Sequence, residues 1–159
     1  MPAEDYVSIL KESLEKKVEI LKEIRVKNAE QGRILTDPNA DPDDFSENIE
    51  AKGALVDEII KLDDGFEIVF EKVSEELQEN RQSYRDEIVR MKELITEITD
   101  LTAEVEREEQ QNKGLAEKKF ADVRAQVKKV RKSQTAVTNY YHNMMKTNYD
   151  DPQFMDRKK

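Results

Sequence analysis

The sequence contains no cysteine and no tryptophan, and it has only four glycines, four prolines and one histidine. Without cysteine, disulfide bonds, thiolate metal sites and a cysteine nucleophile are excluded. No stretch approaches about 18 consecutive uncharged apolar residues, so the sequence predicts no membrane-spanning helix. The first residues are acidic and lack the apolar core of a signal peptide. We therefore expect a cytoplasmic protein.

Recognisable reaction chemistry is also missing from the sequence. The single histidine, His142, stands among tyrosines and methionines, where a lone histidine is usually a solvated surface residue. There is no phosphate-binding glycine loop, and the Glu-x-x-His motif of di-iron bundles is absent. The adjacent carboxylates at 75–76 and at 108–109 point to different sides of a helix. We therefore expect no enzyme activity, no catalytic residue, no cofactor and no bound metal.

One acidic stretch raises a metal hypothesis. Asp37, Asn39 and Asp41 have the alternate spacing of a calcium-binding EF-hand loop. However, Pro42 stands where that loop needs glycine, and Asn48 stands where it needs a bidentate glutamate. Because the stretch combines two prolines with acids and amides, we interpret it as a turn between two helices.

Charged residues make up 40% of the 159 residues and hydrophobic residues 36%, with a net charge of −9. Abundant Ala, Glu, Lys, Leu and Arg at helical spacing are typical of long helices and coiled coils. The length suits one domain, and we expect burial along helix seams rather than in a large round core. The acidic balance disfavours nucleic acid as a general partner, because phosphate binding needs a positive surface.

The longest regular pattern runs from Tyr84 to Met145, with no proline and one glycine, Gly114. Apolar residues return every three or four positions, which is the spacing of one face of an α-helix. An unbroken helix of about 62 residues would be roughly 93 Å long. So long a helix cannot lie inside a compact chain of this size, and part of its apolar face needs partners. Residues 147–159 leave the pattern and are predicted to form a flexible tail.

Two shorter helices are predicted before this pattern. The first spans residues 4–35, and its apolar stripe thins beyond Ile24 to Asn28 and Gln31. We therefore expect the end of this helix to be less well packed. The second helix spans residues 44–79 and has the widest apolar face in the chain, so we expect it to be the centre of the fold.

Two polar gaps leave the position of the second turn open. One gap covers residues 78–83 and the other residues 106–114. A break at 79–83 gives an all-α, antiparallel three-helix bundle or coiled coil, with a long third helix (84–146) that extends past the bundle. A break at Gly114 would instead give one very long second helix and two separate two-helix seams. We favour the first arrangement because it buries more apolar surface.

Beyond Val105 the third helix is predicted to outrun its partners, and its charge changes. The segment Lys113–Lys132 has eight Lys or Arg residues and two acidic residues. One interpretation is a solvated basic face that complements the acidic helices, and the other is an amphipathic surface for a helix of another protein. An anionic membrane is less favoured, because the chain is acidic overall and the apolar face lacks large aromatic residues. The candidate binding residues are Phe120, Val123, Val127, Val130, Val137, Tyr141, Met144 and Met145.

Five segments together carry a resemblance to a known family. They are Tyr6–Leu21, Ile49–Ile59, Glu108–Leu115 with its Asn112-x-x-Leu115 pattern, Tyr140 or Tyr141, and Phe154–Lys159. These segments resemble the first, second and third helices, the tyrosine near the end of the third helix, and the closing residues of the FlgN/FliT-like flagellar type III export chaperones. The resemblance covers nearly the whole chain.

The resemblance implies a small cytoplasmic chaperone that binds the helical C-terminal segment of a hook-associated or filament-cap protein before type III export. The amphipathic end of the third helix would hold this client, and Tyr140 or Tyr141 would help it dock on the export gate. Gly114 departs from the family pattern, in which a strong helix former is more usual, so the continuity of the third helix is open. Without a client, we expect two copies to cover each other's apolar stripe in a homodimer. The alternatives are a structural coiled-coil scaffold and a regulator that binds and blocks another protein.

Overall fold

The computed structural model describes residues 2–145, and the side chains of residues 2–139. This part consists of three α-helices without a β-strand. The prediction of an all-α three-helix bundle with a long third helix is confirmed. Both ends of the first two helices and the start of the third lie within two residues of their predicted positions. The predicted tail, 147–159, lies outside the described residues. The helices are α1 (Ala3–Thr36), α2 (Pro42–Glu79) and α3 (Arg85–Met145).

The turn between α1 and α2 uses its acidic side chains to support the backbone. The carboxylate of Asp37 accepts a hydrogen bond from the Asn39 N–H at 2.9 Å. The carboxylate of Asp41 caps α2 by accepting a bond from the Asp43 N–H at 2.9 Å, and Pro42 fits the first turn because its missing donor is not needed there. Turn formation and capping therefore account for the alternate acidic spacing.

The second turn lies at residues 80–84, where α2 ends and α3 begins. The N–H of Asn80 donates to the Glu76 carbonyl at 3.0 Å, and the N–H of Tyr84 donates to the Asn80 carbonyl at 3.3 Å. The other polar gap, 106–114, is helical throughout, including Gly114. The structure therefore has the first of the two alternative arrangements.

The core is built around α1, and our expectation that α2 is the centre is wrong. Because α1 packs against both other helices, its stripe is covered almost completely. Only two apolar residues of α2, Val73 and Leu77, are buried, while Ile49, Val56 and Phe70 are exposed. The apolar face of α2 is wider than the surface that its neighbours present, so its margins stay in solvent. The buried apolar residues of α1 are Val7, Leu10, Leu14, Val18, Ile20, Leu21, Ile24 and Leu35.

Two further expectations about packing are corrected. The end of α1 is not loosely packed, because Asn28 and Gln31 are 2% and 4% exposed and Leu35 is also buried. Nor does α3 outrun its partners at Val105, because Asn112 is buried and its side chain bonds to α1. The bundle continues for about two helical turns beyond the predicted limit. In both places the packing is made by polar side chains, which an apolar stripe does not reveal.

The chain divides into two compact units, Met1–Ala116 and Glu117–Lys159. The first contains α1, α2 and the buried core. In the second, the described backbone is helical to Met145, and every residue at 120–130 is exposed. Among residues 2–145, no helix combines the length and apolar character needed to cross a bilayer.

Candidate functional site

An exposed apolar stripe occupies the part of α3 that lies in the second unit. We call these residues the α3 stripe. Their exposure ranges from 40% to 61%. Because they follow one another at three, four or seven positions, they share one helix face. The α3 stripe consists of Phe120, Val123, Val127, Val130 and Val137.

The size of the stripe limits what it can hold alone. Covering the exposed half of one such side chain contributes roughly 1 kcal/mol, because full burial is worth about 1.5–3 kcal/mol. Five side chains then give about 5 kcal/mol, which is near the lower end of the roughly 4–15 kcal/mol lost in free motion on association. Stable binding therefore requires a further contribution from flanking groups.

Those flanking groups are mostly cationic. From 118 to 132 the helix carries seven Lys or Arg residues, against a single acid, Asp122. An acidic partner surface would find both an apolar stripe and opposite charge here, which favours orientation and the association rate. The cations are Lys118, Lys119, Arg124, Lys128, Lys129, Arg131 and Lys132.

The remaining predicted site residues stand in the last turns of α3. Tyr140, Tyr141, Met144 and Met145 belong to the helical backbone, but they lie outside the residues whose side chains the structure describes. The same holds for His142. Their predicted contribution to client binding and export-gate docking therefore stays a prediction.

A second group of residues, which the sequence reasoning missed, forms a polar layer across the first unit. Its α1–α2 half is centred on Asn48, which is 2% exposed. The Asn48 amide nitrogen donates to the Lys27 carbonyl and to the Glu30 carboxylate, both at 2.9 Å. Its oxygen accepts from Gln31 Nε2 at 3.0 Å. The hydrogen bond from Asn48 lowers the pKa of Glu30 below its ordinary value.

The other half of the layer joins α3 to α1. Asn112 Nδ2 donates to the Asn28 carbonyl at 2.9 Å, and Asn28 Nδ2 donates to Glu108 at 3.2 Å. Arg25 Nε donates to the second oxygen of Glu108 at 2.9 Å, which ties α3 more firmly to α1. The amide oxygen of Asn28 is buried without a hydrogen-bond partner, so the layer is nearly but not fully satisfied.

Lys52 closes the layer between α2 and α3. Its Nζ lies 2.7 Å from Glu109 Oε1 and 3.5 Å from Gln31 Oε1. The side chain of Lys52 is 10% exposed, so its charge needs this partner. The neighbouring carboxylates Glu108 and Glu109 are thus each paired with a different cation. They form ion pairs between helices and do not make a joint acid–base site.

The sequence did contain a signal for this layer. Asn28 and Gln31 follow Leu21 and Ile24 by seven positions each, and Leu35 follows Asn28 by seven. They therefore continue the buried stripe of α1 rather than end it. A buried polar residue in a seam fixes the register of the helices, because a slip would leave its partners unpaired.

Among the described residues, no group of three or more His, Asp or Glu side chains could hold a metal ion. Comparison of the chain with protein-family models, with curated proteins and with solved structures gave no match.

Proposed function

We propose that this protein binds an amphipathic helix of another protein through the α3 stripe. The observation that carries the proposal is the exposure of Val123, Val127, Val130 and Val137, at 40–61%, on one helix face. Apolar residues at this spacing suit helix-on-helix recognition, in which each partner covers the stripe of the other. The α3 stripe differs from the apolar face of α2 because a long cationic segment surrounds it.

The charge of the segment favours an acidic partner over a second copy of the chain. Two copies packed stripe to stripe would bring two Lys- and Arg-rich faces together, and such like-charge contact opposes association. A helix with acidic residues beside its apolar face would gain ion pairs instead. A homodimer remains the competing arrangement, and it would show as a fixed oligomer in sedimentation.

The class of partner comes from the resemblance to FlgN/FliT-like chaperones. In that role the protein would act in the cytoplasm and cover the helical C-terminal segment of a hook-associated or filament-cap protein before type III export. Both partners expose apolar stripes that would aggregate when uncovered, and pairing hides both. Tyr140 or Tyr141 would then serve the docking of the loaded chaperone on the export gate.

A double substitution tests the binding surface. We expect Val127→Asp together with Val130→Asp to abolish client binding, because two charges would be buried in the seam without partners. The thermal unfolding temperature should be unchanged, because both side chains are exposed. A matched control carries Val26→Asp and Val56→Asp, two exposed valines of the first unit, and should keep full binding.

The client is identified by pull-down from flagellated cells, and its C-terminal segment is then removed or supplied as a peptide. Capture that is lost on C-terminal truncation of the client supports the export-chaperone proposal. If the double variant unfolds, the stripe belongs to the core of the protein. If it stays folded and still captures the client, the stripe does not bind it.

The second candidate function is a structural coiled-coil scaffold. It is favoured by the heptad spacing of Val123, Val130 and Val137, which differ by seven positions and suit a two-stranded coiled coil. In that case, sedimentation should show one concentration-independent oligomer that Val130→Asp dissociates. No C-terminal client segment would compete with it.

A further inference from the structure

A second apolar surface lies in the first unit, next to the turn that joins α2 and α3. It is an open groove of about 440 Å³ between the two helices, and we call it the α2–α3 groove. Phe66 and Phe70 stack on its α2 side, with ring centroids 6.0 Å apart and planes 8° apart. Phe70 is 42% exposed, and Val89 and Ile95 on the opposite wall are each 48% exposed.

The charges that line the groove all have the same sign. Arg81, Arg85 and Lys92 are its only charged lining residues. None of the three forms an ion pair with another described residue. Acidic residues outnumber basic ones by 36 to 27 in this chain. Although the chain is acidic overall, the groove lining carries three unpaired cations and no acidic residue, and these cations complement an anionic partner.

The length of the groove matches a helix rather than a small ligand. Its α2 wall runs from Phe66 to Gln78, which is about 18 Å. The turn residue Arg81 extends the lining beyond the end of α2, so a helix of about four turns spans the groove. An amphipathic helix of that length can place apolar side chains between the two walls and acidic side chains against the cations. A single small carboxylate would satisfy one cation and leave most of the apolar surface exposed. The cationic segment Lys113–Lys132 has the wrong sign to occupy the groove.

We propose that the α2–α3 groove binds an acidic amphipathic helix of about four turns from another protein. The apolar face of this helix covers Phe70 and Ile95, and its flanking Asp or Glu residues pair with Arg81, Arg85 and Lys92. This site is separate from the α3 stripe and does not depend on the function proposed for it.

A designed peptide probe tests the proposal on the full chain. The probe is a fluorescent helix of about four turns, with leucine on one face and glutamate on both flanks. A matched peptide carries lysine in place of glutamate. In fluorescence anisotropy, we expect the acidic peptide to bind at least about tenfold more tightly than the basic one, because three ion pairs are replaced by three repulsions.

Charge reversal in the groove provides the specific readout. We expect Arg85→Glu together with Lys92→Glu to lower the affinity for the acidic peptide at least about tenfold. The same variant should raise the affinity for the basic peptide, because the charge of the groove is reversed. Phe70→Asp should abolish binding of both peptides, while Val26→Asp, a control at an exposed valine of α1, should leave it unchanged. Circular dichroism melting checks that each variant is folded, and the charge-reversal pair still tests the groove if Phe70→Asp does not fold.

Four results would overturn the proposal. The first is equal affinity of the two peptides for the wild-type chain, and the second is an affinity that charge reversal does not change. The third is self-association in sedimentation that Phe70→Asp abolishes, because a second copy would then be the occupant. If Val127→Asp with Val130→Asp removes peptide binding, the peptide occupies the α3 stripe and the groove proposal fails. If that variant keeps peptide binding but loses its client, the two sites are independent.

Discussion

Replacing Asn48 with alanine tests whether the polar layer holds the helices together. The side chain of Asn48 lies on α2 and makes all of its three hydrogen bonds to α1. Alanine keeps the helix intact, because it is the best helix former. The substitution therefore removes these three hydrogen bonds between α1 and α2, and it does not lower the helix propensity of α2.

The expected loss of stability follows from the partners that remain. Gln31 is 4% exposed, and without Asn48 its amide nitrogen is left as a buried donor without an acceptor, which costs about 1–3 kcal/mol. The bond to Glu30 contributes about 1 kcal/mol after allowance for the exposure of that carboxylate. We therefore expect the free energy of unfolding to fall by about 3 kcal/mol, out of a typical total of about 5–15 kcal/mol.

Urea unfolding followed by far-UV circular dichroism measures this loss. In a thermal melt the unfolding temperature should also fall by about 6–12 °C, because each kcal/mol corresponds to about 2–4 °C in a chain of this size. Asn80→Ala is the matched control, because Asn80 is exposed and its side chain makes a single bond of 3.3 Å to the Glu76 carbonyl. We expect this control to change the free energy of unfolding by less than about 0.5 kcal/mol.

The titration of Glu30 gives an independent readout of the same contact. Its pKa lies below the ordinary value of 4.5, chiefly because Asn48 donates a hydrogen bond to the carboxylate. A lowered pKa in the folded state contributes stability above pH 4.5, and this contribution is lost as the pH falls through the folded value. In Asn48→Ala, NMR should show the Glu30 pKa rising towards 4.5, and the stability difference from wild type should shrink in acid.

The result that would refute this reasoning is specific. If Asn48→Ala costs no more than Asn80→Ala, and the pKa of Glu30 does not move, the hydrogen bonds do not hold α1 and α2 together. The buried position of Asn48 would then be a consequence of apolar packing around it. If the free energy of unfolding falls strongly but the pKa of Glu30 does not change, the destabilisation comes from Gln31 alone.

Further predictions concern the same unit. Gly65→Ala should raise the free energy of unfolding by about 1 kcal/mol, because beyond the adjoining helix backbone nothing lies within 4 Å of the added Cβ. Gly32→Ala should bring no such gain, because its Cβ would lie 3.3 Å from Asn112 Oδ1, and the gain should return when Asn112 is also alanine. Lys52→Met should cost about 1–2 kcal/mol in urea unfolding, because it removes the ion pair of a lysine that is only 10% exposed and leaves the Gln31 oxygen without its donor. Lys16→Met should cost almost nothing, because both groups of its pair are exposed.

The positions of the helices could be predicted because their signals are local. Apolar spacing, the prolines after Thr36 and the loss of periodicity after Leu77 mark helix ends without reference to any partner. The second turn was harder to place, because the gaps at 78–83 and 106–114 are both polar. Only contacts with Asn28 and Lys52 show that the second gap faces inwards.

The α3 stripe could also be predicted residue by residue, whereas the α2–α3 groove could not. A stripe belongs to one helix, so its spacing along the chain defines it. The groove combines Phe70 of α2 with Ile95 of α3, and their closeness depends on how two helices pack. The exposure of Phe70 was unexpected for the same reason, since it depends on how much of the α2 face the other helices cover.

The sequence by itself determined the helical class, the end of the first helix, and the apolar face of each helix, because these depend on propensity and on spacing within a few residues. It left the second turn between two polar gaps. The tertiary structure alone decided that α1 is central, that Asn28, Gln31, Asn48 and Asn112 meet in one layer, and that Phe70 borders an open groove. The physical reason is that the free energy of a side chain depends on what opposes it. Periodicity specifies which face a residue occupies, but burial and pairing require a second surface from elsewhere in the chain.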